Sequence, residues 1–76
     1  MSFLLATRRV AFARETLDAA LKLARPFQHA INVAHARRDD AALSVALADA
    51  EPVDNVVTLA SRYYCDAVRT LVAMRA

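Results

Sequence analysis

No glycine occurs anywhere in the 76 residues, although average usage of roughly 7% would place about five in a chain of this length. The tight turns of antiparallel sheets lean on Gly and Asn for positive φ, so a hairpin-rich sheet is disfavoured and helices joined by short connections are expected. The same absence removes every glycine-rich phosphate loop.

Two prolines punctuate the chain, in LARPFQHAI (Leu23–Ile31) and DAEPVDNVV (Asp49–Val57). In both, Ala and a charged residue precede Pro, and an apolar, two polar and two apolar residues follow. The match continues with Asn32, Val33 and Ala34 against Thr58, Leu59 and Ala60. Pro is favoured in the first helical turn and biases the residue before it away from helix. The echo therefore predicts two helix starts, and an all-α, three-helix bundle with helices over about 3–24, 27–50 and 53–75. Roughly 22 helical residues at 1.5 Å each give three matched rods of about 33 Å. The rival is a helix kinked through Pro26, because no polar linker precedes it. A break at RRDD, Arg37–Asp40, with Asp39 capping a fresh helix, would make a four-helix bundle. With neither Gly nor Pro there, continuity is expected.

In the first segment Phe3, Ala6, Val10, Ala13, Leu17, Ala20 and Ala24 alternate spacings of three and four, which is a heptad seam. Ala6, Ala13 and Ala20 recur every seventh residue and allow a close helix approach. Ser2 is placed to cap the start. A second apolar line, Leu5, Phe12, Ala19 and Leu23, lies roughly opposite when each residue turns the helix by 100°. In the second segment Phe27, Ile31, Ala34, Ala41, Ala42 and Val45 share a face with Arg38 in its middle, while Leu43 and Leu47 point the other way. The third is the cleanest amphipathic helix, with Val53, Val57, Ala60, Tyr64, Ala67, Leu71 and Met74 on one stripe. Val56, Tyr63 and Val68 widen it. Its polar face carries Asp66 within helical pairing distance of Arg62 and Arg69.

A single domain spanning 1–76 holds a thin core, since its 58% hydrophobic fraction is mostly Ala, with only Phe3, Phe12, Phe27, Tyr63 and Tyr64 aromatic. Chains this small rarely gain more than about 3–5 kcal/mol from one core without a staple. The lone Cys65 forms no internal disulfide, and His29 and His35, six apart, differ by about 240° around a helix and do not face one metal. Homodimerisation is the remaining remedy. No catalytic, metal or cofactor-binding set emerges, and no cofactor is expected.

The net charge of +2 comes from nine Arg, one Lys and eight acids, so the surface is far less basic than a pI near 9.2 suggests. Nucleic acid is a disfavoured partner on charge alone. The opening MSFLLATRR carries its charges after a short apolar run, unlike a signal peptide, and no apolar run approaches a membrane span. With one free thiol, the cytoplasm is the expected location.

Each candidate for chemistry has a plainer explanation. The Arg8–Arg9 and Arg37–Arg38 pairs suit an anionic ligand, but each is followed directly by apolar residues or acids, as on a solvated or salt-bridged helix surface. Tyr63 and Tyr64 offer base stacking, yet both fall in the apolar arc of their helix. Cys65 lies near Arg62 and Arg69 without a resolving thiol or general base in view.

These features favour a non-enzymatic helical module, of regulator, inhibitor or co-chaperone type, that works as a homodimer and docks another protein. The candidate interface is Leu5, Phe12, Ala19, Leu23, Leu43 and Leu47, the apolar surplus off the main stripes. The alternative is a helix-turn-helix DNA-binding dimer using residues about 43–64, where ALSVALADAEPVDNVVTLASRYY sets two helices around a short connection. It lacks the usual turn glycine and puts Asp54 at the phosphate-facing start. A small enzyme with an arginine-lined pocket between subunits ranks third, because every Asp and Glu falls on a polar face or near a helix end.

Overall fold

The computed structural model describes residues 2–75. They form two α-helices, α1 (Phe3–Ala36) and α2 (Asp40–Arg75), folded back on each other as an antiparallel hairpin. The result is a rod of 52 × 17 × 17 Å, the length expected of a helix of this size at 1.5 Å per residue. Ser2 caps α1 as its sequence position suggests, its Oγ accepting from the Leu5 N–H at 3.2 Å.

The chain reverses at Arg37, Arg38 and Asp39, so the expected continuity through RRDD gives way to a break. Arg38 adopts φ 53°, the left-handed conformation that glycine ordinarily supplies after a helix. Its N–H donates to the His35 carbonyl, and the Asp39 N–H donates to the Ala34 carbonyl, both at 3.1 Å. These two bonds close the end of α1. Asp39 then opens α2, its carboxylate accepting from the Ala42 N–H at 3.0 Å. A left-handed backbone at Arg38 and a side-chain cap from Asp39 thus stand in for the missing glycine.

Both prolines lie inside helices. The boundaries expected at Pro26 and Pro52 are absent, and the three segments condense into two helices rather than a three-helix bundle. Each proline removes one ladder bond, to the carbonyl four residues earlier, on Lys22 and Ala48. Those residues and both prolines are exposed, so the freed carbonyls are open to water in the single hairpin. An unbroken buried seam outweighs the local preference. The run 43–64 lies within α2 without interruption, so the turn that a helix-turn-helix requires there is missing.

The seam is made of alanine. Ala6, Ala13, Ala20 and Ala34 of α1 and Ala46, Ala50, Ala60 and Ala67 of α2 are buried, and among the described residues no large side chain is fully buried. Small residues at most positions of these seven-residue lines, interrupted by Phe27 and Val53, let the two helices close on each other. The proline echo now has a different meaning. Ala20, Ala24, Phe27, Ile31 and Ala34 occupy the same seam positions as Ala46, Ala50, Val53, Val57 and Ala60, twenty-six residues on. Pro26 lies twelve residues before Arg38 and Pro52 fourteen after it, so the two meet at one level of the hairpin. The repeat is a local two-fold in the packing.

Candidate functional site

A buried methyl contributes roughly 0.8 kcal/mol, against about 1.5–3 kcal/mol for a fully buried Leu or Phe. The large apolar side chains that would stabilise the fold most are on its surface. Leu5, Phe12, Leu23, Val45, Val56 and Leu59 are between 49% and 64% exposed. These six, half of the twelve large apolar side chains exposed among the described residues, share one side. The row Leu5, Phe12, Ala19, Pro26 and Val33 runs along α1 at seven-residue spacing, with Leu23 and Ala30 beside it. On α2 the rows Val45, Pro52, Leu59 and Ala42, Asp49, Val56, Tyr63 run likewise.

Two contacts show that these rows share one broad side of the rod. The Phe12 ring meets the half-buried Tyr63 ring edge-on, with centroids 6.4 Å apart and planes at 74°, a favourable aromatic geometry. Nearer the turn, Ala30 and Val33 of α1 and Ala42 and Val45 of α2 line one open cleft of about 650 Å³, rimmed by His29 and Asp49. The Arg9 guanidinium lies 5.5 Å from the Tyr63 centroid, a cation–π contact worth about 0.5–1 kcal/mol at an exposed site.

The opposite side is mixed. Thr7, Arg14, Leu21, Gln28 and His35 run along α1, and Leu47, Asp54, Ser61, Val68 and Arg75 along α2. His35, Arg38, Asp40 and Leu43 line a smaller cleft there.

Of the six interface candidates, Leu5, Phe12, Ala19 and Leu23 fall together on the apolar side. They flank the seam instead of lying opposite it, because Phe12 reaches Tyr63 on the other helix. Leu43 is half-buried and Leu47 exposed, both away from that side. Sequence reasoning missed Val45, Val56 and Leu59. Their rows were visible on one helix at a time, but their union with the Phe12 row depends on the chain reversing at Arg38.

The sites considered for chemistry stay apart. Arg8 and Arg9 sit towards the open end of the rod, while Arg37 and Arg38 form the turn. Their separation precludes a common basic patch. His29 and His35 line different clefts, and no metal-holding group of His, Cys, Asp and Glu occurs among the described residues. Cys65 is exposed on the polar surface of α2 with Thr58, Ser61, Arg62 and Asp66 around a shallow groove. Asp66 pairs with Arg69 at 3.9 Å, a solvated contact worth little. No described helix is long and apolar enough to cross a membrane. Comparison with protein-family models, curated proteins and solved structures gave no match.

Proposed function

We propose that this chain is a non-enzymatic helical interaction module, of regulator, inhibitor or co-chaperone type, that works as a homodimer and presents helix surface to another protein. One observation carries the reading. Among the described residues only alanines are buried, while six large apolar side chains stand together on one side. A patch of that kind on a small chain marks a surface to be covered. Covering it with a second copy supplies the large-residue core that the single hairpin lacks, as in a four-helix bundle. The outer, mixed surfaces then remain free for a different protein. An exposed free thiol at Cys65 fits a reducing compartment, and we place the protein in the cytoplasm.

Sedimentation equilibrium at micromolar concentration tests the homodimer. The expected mass is twice 8.3 kDa, and a folded species of 8.3 kDa would remove the basis of the reading. Docking of another protein is tested by capture from native extract on the dimer, with a Leu47→Asp variant as the control bait. Recovery of the same partner in stoichiometric amount by the wild type alone supports the outer surface, and recovery of none contradicts it.

A further inference from the structure

The apolar side also indicates how its occupant lies. We infer that a second copy of this chain seats on that side turned end for end, each Phe12 entering the cleft of its partner between Ala30, Val33, Val45 and Ala46. This arrangement rests on the homodimer reading and adds a geometry to it.

Size is the first argument. A rod 52 Å long and 17 Å wide presents a side of roughly 900 Å² in projection, close to the roughly 800 Å² per partner of a standard stable interface. Shape is the second. A two-fold axis across the rod pairs each residue with a counterpart reflected through the centre of the rod. Distance from the turn at Arg38 sets the levels. Phe12 lies twenty-six residues from Arg38, and the rod ends near thirty-six, so reflection brings Phe12 to a level ten residues from the partner's turn. Side chains tilt towards their own helix N-terminus, which carries the ring a further step towards that turn. There it meets Ala30 and the open cleft, which reaches from Arg37 and Ala41 to His29 and Asp49. By the same reflection Leu23 falls over the partner's Ala19, and Val56 falls on its own counterpart. Phe12 and Leu23 thus meet small residues, and Val56 meets its like at the centre.

Charge is the third argument. Asp49 stands in an otherwise apolar row and makes no ion pair among the described residues. Reflection brings it to the level of the partner's Tyr63, where Arg9 already lies over the ring. A carboxylate there receives the phenol hydroxyl and the guanidinium. A parallel pair sets Asp49 against the Pro26 and Phe27 level of the partner, far from Arg9, and Phe12 against the Tyr63 level, away from the apolar cleft.

Spin labels at Arg38→Cys in a Cys65→Ser background read the arrangement on the otherwise intact chain. The end-for-end dimer places the two labels about one rod length, 52 Å, apart. A dimer whose labels lie within roughly 20 Å, about two helix diameters, overturns this arrangement but leaves the homodimer standing. A monomer overturns both. Phe12→Ala is expected to raise the dimer dissociation constant at least about tenfold, as for an aromatic anchor in a pocket. An unchanged constant would show that Phe12 does not occupy the cleft.

Discussion

Leu59 and Leu47 belong to the same helix, carry the same side chain and are both more than half exposed. They stand on opposite sides of the hairpin. Around Leu59 lie Val56, Tyr63 and the Phe12 row of the other helix. Around Leu47 lie Asp54, Ser61 and the polar rows. Exposure alone therefore says nothing about purpose; company does. Scattered apolar residues such as Leu21 and Leu47 on a mixed surface are ordinary, whereas six together on one side of a rod with an alanine seam support the proposed second layer.

The comparison breaks most sharply by putting a charge at each position. Leu59→Asp should bury an unpaired carboxylate in the dimer, at a cost of about 3–5 kcal/mol or more. Loss of the dimer and of most helical ellipticity at micromolar concentration is the expected result. Leu47→Asp should change stability by less than about 0.5 kcal/mol. Equal losses in the two variants would mean that the two sides do not differ.

A second contrast sets the prolines against the turn. Pro26 interrupts a ladder without ending its helix, and Arg38 ends a helix without being proline or glycine. Pro26→Ala should restore the bond to the Lys22 carbonyl and stabilise the protein by up to about 3 kcal/mol in chemical denaturation. Had Pro26 begun a helix, the same change would be nearly neutral. A neutral result would therefore favour the boundary read from the echo.

Arg38→Gly should relieve the left-handed strain and stabilise by up to about 1 kcal/mol, less what glycine adds to the freedom of the unfolded chain. Destabilisation would show that the Arg38 side chain contributes more than its backbone costs. The smallest effect belongs to the polar side, where Arg69→Ala should change the melting free energy by less than about 0.5 kcal/mol, given a solvated ion pair.

Much of the helical content could be read from the residues, and the topology less so. The heptad line Ala6, Ala13, Ala20 and the stripe Val53, Val57, Ala60 and Tyr64 are periodic over many turns, and periodicity survives tertiary context. Ser2 was recognisable because a cap acts over three residues. The boundaries failed for a physical reason. A proline's preference is local and worth about 3 kcal/mol, whereas the seam through Ala20, Ala24, Phe27, Ile31 and Ala34 acts over the whole helix and prevails. At the turn the signal was present in Asp39, but the positive φ fell on an arginine, a residue that seldom takes it. Half of the candidate side, Leu5, Phe12, Ala19 and Leu23, was legible on one helix. The other half, Val45, Val56 and Leu59, joined it only once the reversal at Arg38 laid the two helices side by side.

The central claim is that the hairpin is one half of a folded unit, and the concentration dependence of its thermal midpoint tests this most directly. If folding and association are one step, the midpoint must rise over a roughly hundredfold increase in protein concentration, by mass action. The helical ellipticity should fall on dilution at a fixed temperature. A fully helical protein whose midpoint stays constant across that range would show that an alanine seam alone holds the two helices, and would contradict the account.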